Sequence, residues 1–217
     1  MNKPIIRKCC ICKNKYEHKS NTIISVCENY DCRSAYAIGY YQKQKLAKEK
    51  KAKSDWAAEK KVLKEKVKGI PELKKDLEKE INTISRLIDF QSGCISCGGH
   101  TTPSGGHYHS VGANGAIRFN LDNIHLQDYG CNGEKGGNIH KYDLGLIERY
   151  GKEYWEYVKF DLVAKYPVLK MKIFEYKEKI DTARGIVKWL KLQSKTYTPK
   201  ERLELRKLYN NQIGIYK

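Results

Sequence analysis

Apolar residues recur at three- and four-residue steps along one stretch of the chain: Ile70, Leu73, Leu77, Ile81, Ile84, Leu87 and Ile88. That spacing predicts an amphipathic helix from residue 71 to about 90, with Pro71 tolerated in its first turn. Gly69-Ile70-Pro71 separates it from residues 33–68, a second helix candidate with a heavy cationic bias. Helical spacing returns over roughly 143–164, 168–192 and 199–212, punctuated by Pro167 and Pro199. Between 94 and 138 it gives way to turn residues, which predict a tight knuckle at 94–98, a β-hairpin across 106–126 and a helix starting near Asn132. Gly112, Asn114 and Gly115 supply the turn between the strands. Four segments result: 1–34, 35–90, 91–142 and 143–217. The stripe at 70–88 suits core packing, and positions 70, 77 and 84 with 73 and 87 also fit a short heptad that would make a homodimer.

Charge changes the picture. The 217 residues carry a formal net charge of +17, which favours a polyanionic partner and nucleic acid first. Residues 33–68 hold twelve cationic and four anionic side chains. Lys43, Lys50, Lys53 and Lys60 there are candidates for phosphate contact, which carries no sequence information. Arg7, Lys8, Lys13, Lys15 and Lys19 offer the same near the N-terminus. The sixteen tyrosines, amphipathic rings, serve packing or stack on unpaired bases. There is no run of eighteen apolar residues and no signal-like start, so a protein of the cytosol without a membrane partner is expected.

The cysteines point to metal. Cys9-x2-Cys12 and Cys27-x4-Cys32 have the spacing of a zinc site, with Cys10 left over and His18 nearby. Cys94-x2-Cys97 is a second pair. Its partner would be Cys131 with Asp128 three residues earlier, so Cys94, Cys97, Asp128 and Cys131 form a non-standard ligand set. Polybasic surroundings and CxxC spacing favour thiolate-held zinc over disulfides.

Within 94–138 stand CISCG at 94–98, GHY at 106–108, RFN at 118–120, NIH at 123–125 and Cys131-Asn132 with Lys135, Gly137 and Asn138 trailing. This string resembles the NinG/Rap family of lambdoid phage recombination endonucleases, HNH or His-Me finger nucleases on a treble-clef zinc site. The resemblance runs from about residue 7 to about 150. It implies an α-rich α+β protein with an N-terminal zinc knuckle, a long basic helix, an HNH-like ββα-metal module and C-terminal helices. It further implies that His107 is the general base, that Asn132 binds Mg²⁺ or Mn²⁺ through its amide oxygen, and that Asn123 holds the loop carrying the base. Arg118 and Lys135 become phosphate contacts. The substrate would be branched DNA, such as a Holliday junction or D-loop.

Two positions depart from that pattern. Gly106 precedes the base where many HNH enzymes have aspartate, and Ser104 stands where NinG/Rap relatives have one. The second metal ligand then falls to His109, His125 or Asp122. Asp128 replaces a family cysteine. A non-catalytic zinc-binding DNA adaptor, or an RNA-binding zinc protein, is the alternative.

Overall fold

The computed structural model describes residues 5–18, 23–193 and 195–216, and Lys19 lies outside them. Among the described residues the chain is mostly helical with two small sheets. It divides into two compact units, Met1–Val67 and Lys68–Lys217.

In the first unit, β1 (Ile5–Lys8) pairs antiparallel with β2 (Lys15–His18), Ile5 opposite His18 and Lys8 opposite Lys15. The turn between them carries Cys9 and Cys12 and places Lys13 at a positive φ of 65°. Helix α1 (Tyr30–Lys66) follows. Asn29 caps it: its side-chain oxygen accepts from the amides of Asp31 and Cys32, which brings Cys32 into the first turn. The helix therefore starts three residues before the cationic stretch and runs unbroken through it. Beyond Tyr36 its side chains, Lys43, Lys50, Lys53 and Lys60 among them, are exposed. The contacts thus join the cysteine segment to the basic helix and leave the amphipathic helix with the rest of the chain.

The second unit is built on α2 (Ile70–Asp89), where Leu73, Leu77, Ile81, Ile84 and Ile88 are buried as the spacing predicts. The stripe packs on Tyr176, Ile180, Ala183, Ile186 and Leu190 of α6 (Ile173–Leu192) and on Tyr209 and Ile213 of α7 (Pro199–Ile213). Buried apolar area is thus used within the chain, and α2 is a core helix rather than a heptad seam. Thr198 and Glu201 form a capping box at the start of α7.

A single antiparallel pair crosses one side of α2: β3 (Pro103–His107) and β4 (Ile124–Asp128), with Pro103 opposite Asp128 and His107 opposite Ile124. Only the ends of the expected 106–126 hairpin are strand. The connection between is a long loop with 3₁₀ turns at Gly115–Ile117 and Leu121–Asn123. The helix expected from Asn132 is one π-helical turn, Gly130–Glu134. Gly136, Gly137 and Asn138 then follow with positive φ, and three consecutive residues in that region cannot continue a right-handed helix. Helix α3 (Ile139–Tyr150) begins beyond them.

The helix expected over 143–164 is broken in the same way by Gly151, φ 91°. The chain resumes as α4 (Lys152–Glu156), passes through a π-helical turn at Tyr157–Asp161 and ends in α5 (Leu162–Lys165). No helix among the described residues is long and apolar enough to cross a membrane.

Candidate functional site

Two groups of thiols stand where the spacing placed them. The sulfurs of Cys9, Cys12, Cys27 and Cys32 all lie within 4.8 Å of one another, in the first unit. Cys10 is exposed and outside the group. Backbone amides around Cys27 pull the Cys9 thiol down to about 6, while burial pushes Cys32 up to about 12. Four sulfurs converging from a β-turn and a helix N-terminus form the donor set of a tetrahedral zinc site.

In the second unit the sulfurs of Cys94, Cys97 and Cys131 also lie within 4.8 Å of one another. The knuckle is closed by the Gly98 amide donating to the Cys94 carbonyl and the Cys94 amide donating to the Gly99 carbonyl, both at 2.8 Å. Asp128 borders the trio without joining it: its Oδ2 is 3.9 Å from Cys97 Sγ, and its Oδ1 accepts from the Thr102 amide. Burial raises the Cys97 thiol to about 11, with the neighbouring thiols of Cys94 and Cys131 adding to it. Burial acts the same way on Cys94, but backbone amides beginning with that of Asp128 outweigh it and hold this thiol below its ordinary value. Either cysteine group could hold a metal ion such as zinc, which relieves the repulsion between clustered thiolates.

His107 closes β3. Its Nε2 lies 3.0 Å from the Arg118 carbonyl oxygen. A carbonyl only accepts, so the neutral ring carries its proton on Nε2 and presents its lone pair at Nδ1. Burial lowers the pKa of His107 below the usual histidine value. Glu78 Oε1 lies 3.8 Å from Nε2, and the other oxygen of that carboxylate takes Arg118 Nη2 at 2.5 Å. Arg118 is therefore part of the histidine's surroundings, its guanidinium ion-paired and mostly buried.

Asn123 is fully buried and holds the loop after the histidine. Its Oδ1 accepts from the His109 amide at 2.8 Å, its Nδ2 donates to the His109 carbonyl at 3.1 Å, and its own carbonyl accepts from the Tyr108 amide. Asn132 donates to Ser104 Oγ at 3.1 Å, and Ser104 in turn donates to the Gln127 carbonyl. The structure thus brings Asn132 to Ser104 rather than to His107.

Between α2 and β3 runs an open groove of about 450 Å³ lined by Glu78 and Ser104 together with Lys75, Lys79 and Arg86. The partner of His107 and the partner of Asn132 share this wall. Sequence reasoning missed Glu78, Lys75 and Lys79. The signal available was the four-residue row Glu78, Asn82, Arg86 beside the apolar stripe, which a helix turns toward one neighbour.

The three candidates for a second hard-metal ligand go elsewhere. His109 Nε2 bonds the Val158 carbonyl at 2.9 Å. His125 is fully buried against Tyr142, Tyr150 and Tyr154, and burial drives its pKa well below the usual value. Tyr142 donates its hydroxyl proton to the Gly106 carbonyl and so accepts from His125 Nδ1 at 2.9 Å. The carboxylate of Asp122 accepts from Tyr154 Oη and Asn210 Nδ2. Each of the three is thus engaged by groups other than His107. Lys135 is exposed and lines a separate groove with Lys141 and Arg149.

No solved structure matches the chain. Protein ninG of Escherichia phage lambda is 40% identical to it over 81 residues, 36% of this chain and 40% of that protein. Protein ninG of Salmonella phage P22 is 39% identical over 79 residues, 36% of this chain and 39% of that protein. The matched stretch thus spans about two fifths of the length of these relatives. The model of the family described as Bacteriophage Lambda NinG protein matches residues 1–193. That match takes in both cysteine groups, the histidine and the groove, and the chain belongs to the NinG family.

Proposed function

We propose that the chain is a metal-dependent, structure-selective endonuclease that cuts branched DNA, such as Holliday junctions or D-loops, in phage recombination. The observation that carries the reading is the groove at the His107 strand. Cationic side chains line it for a phosphodiester, and Glu78 in its wall lies 3.8 Å from a histidine whose lone pair is fixed at Nδ1. Hydrolysis needs a proton taken from water and charge neutralised on the departing oxygen. His107 Nδ1 takes the proton, and the ring becomes an imidazolium whose positive charge lies beside the Glu78 carboxylate. Lowering of its pKa keeps the ring in the basic form at neutral pH.

The groove side also offers oxygen donors of the kind Mg²⁺ and Mn²⁺ accept: the Asn132 amide, the Ser104 hydroxyl and the Glu78 carboxylate. Asn132 and Ser104 would hold such an ion, which would stabilise negative charge on the phosphate oxygens. The cysteine groups hold zinc and are structural: one fixes the start of α1, the other ties the knuckle to the turn that carries Asn132. The extra basic surface of α1 contacts DNA backbone without regard to sequence.

A DNA-binding adaptor is the second reading, and one observation favours it: Ser104, uncharged, stands at the side of Asn132 where the NinG/Rap pattern has an acid. Labelled junction and linear duplex, with added Mg²⁺ or Mn²⁺, separate the two. Cutting of the junction by wild type and not by His107→Ala supports the enzyme. Equal junction binding by both, without cutting by either, sinks it in favour of the adaptor. Displacement by double-stranded RNA at DNA-like concentrations would overturn the choice of polymer.

A further inference from the structure

A cavity of about 320 Å³ opens where α7 and α5 meet the loop between the strands. It falls at the small end of the range for ligand sites. Its floor is polar and already ordered: Asn210 donates to both the Asp122 carboxylate and the Asn120 side chain, and its own oxygen accepts from the Leu121 amide. Tyr154, Tyr157 and Tyr166 form the walls, and the exposed lysines Lys165 and Lys207 stand at the mouth. The tyrosines are half-buried, so ring surface is left facing the space. Aromatic walls, acceptor oxygens at the bottom and two ammonium groups at the entrance suit a flat polar ring joined to an anion. Neither an aliphatic ligand nor a bare phosphate would use all three.

We propose that this cavity takes one unpaired nucleotide of a DNA strand, its base against the tyrosine rings and its phosphate at Lys165 and Lys207. Such a nucleotide must be out of a duplex, because a paired base has both faces covered by its neighbours. Stacking on a side-chain ring is tolerant of sequence, as a reader of branch points requires. The turn Leu121–Asn123 links this cavity to the histidine: Asp122 faces the cavity while Asn123, the next residue, pins the loop after His107. Lys207 and Asn210 lie beyond residue 193, outside the stretch matched by the family model, so the cavity is completed by a part of the chain that the match does not cover. The inference rests on the nucleic-acid half of the proposed function and not on cleavage.

The test compares the full chain's binding to a duplex with a short unpaired gap and to the same duplex fully paired, without added Mg²⁺ or Mn²⁺. Wild type should prefer the gapped form by about tenfold, within what one stacked base contributes. Tyr157→Leu and Lys207→Ala should each reduce that preference and leave affinity for the paired duplex unchanged. Lys207 is on the surface, so its variant separates loss of the pocket from loss of the fold. 2-Aminopurine in the gap should be quenched by wild type and recover in Tyr157→Leu. Equal affinity for both duplexes overturns the proposal, as does an equal loss on both in the variants. Displacement of the gapped duplex by free thymidine monophosphate at comparable concentration overturns it too, by making this a free-nucleotide site. A chain that prefers the gap yet cuts nothing keeps the pocket and loses the nuclease.

Discussion

Asn123 shows how one side chain governs a site it does not enter. Its amide satisfies both the N–H and the carbonyl of His109, in a place closed to water. Asn123→Ala would strand both groups, and an unmet buried polar group costs roughly 1–3 kcal/mol. Urea denaturation should register that loss, and DNA cutting should fall further than stability does because the histidine loop is no longer held. His125 and His107 set the acid limit. Burial lowers both pKa values in the folded state, so the unfolded chain binds protons more readily. Stability from these rings is fully present above about pH 6.5, the unfolded value, and is lost as pH falls toward the lower folded values. His125→Phe removes the larger contribution. Its melting temperature should fall less steeply than that of wild type between neutral pH and pH 5, in matched buffers.

At the scale of elements, a buried arginine joins three that the sequence keeps far apart. Arg206 of α7 is inaccessible to solvent and pairs with Asp89 of α2 at 2.6 Å. It also donates to the carbonyls of Leu121 and Ile124, the latter at 2.7 Å. Asp89 further accepts from the Leu126 amide, which ties α2 to β4. Removing one member of such a pair leaves the other charged and unpaired. Arg206→Ala should therefore cost about 3–5 kcal/mol by chemical denaturation. Retention of full stability by Arg206→Ala would mean that the pair does not bind these elements together. Gly145 answers to a closer limit: a Cβ there would stand 1.8 Å from the Ile95 carbonyl, so α3 approaches the knuckle only through a bare backbone.

At the scale of the molecule, the cationic excess of α1 is carried by exposed side chains. Reversing Lys43, Lys50, Lys53 and Lys60 to glutamate changes only exposed positions of α1, so thermal stability should barely move. DNA affinity should drop for every sequence tested, and the slope of log affinity against log salt should become shallower by up to about 0.9 per lost phosphate contact. An unchanged slope would exclude α1 from the DNA-binding surface.

The sequence alone was enough for what depends on spacing within one segment. The stripe of α2, the charge of α1 and the tetrathiolate of the first unit all rest on short intervals, and helices and tight turns convert such intervals into shared faces. Long-range encounters were not legible there. Glu78 meets His107 across 29 positions of chain only because Gly105 lets β3 lie close on α2, at Asn82, and Arg206 finds Asp89 only once α7 has docked. His125 looks like a ligand as a letter and becomes a core group once the tyrosines of α3 and α4 close over it. A side chain's partners depend on which surfaces meet, and tertiary packing alone decided that.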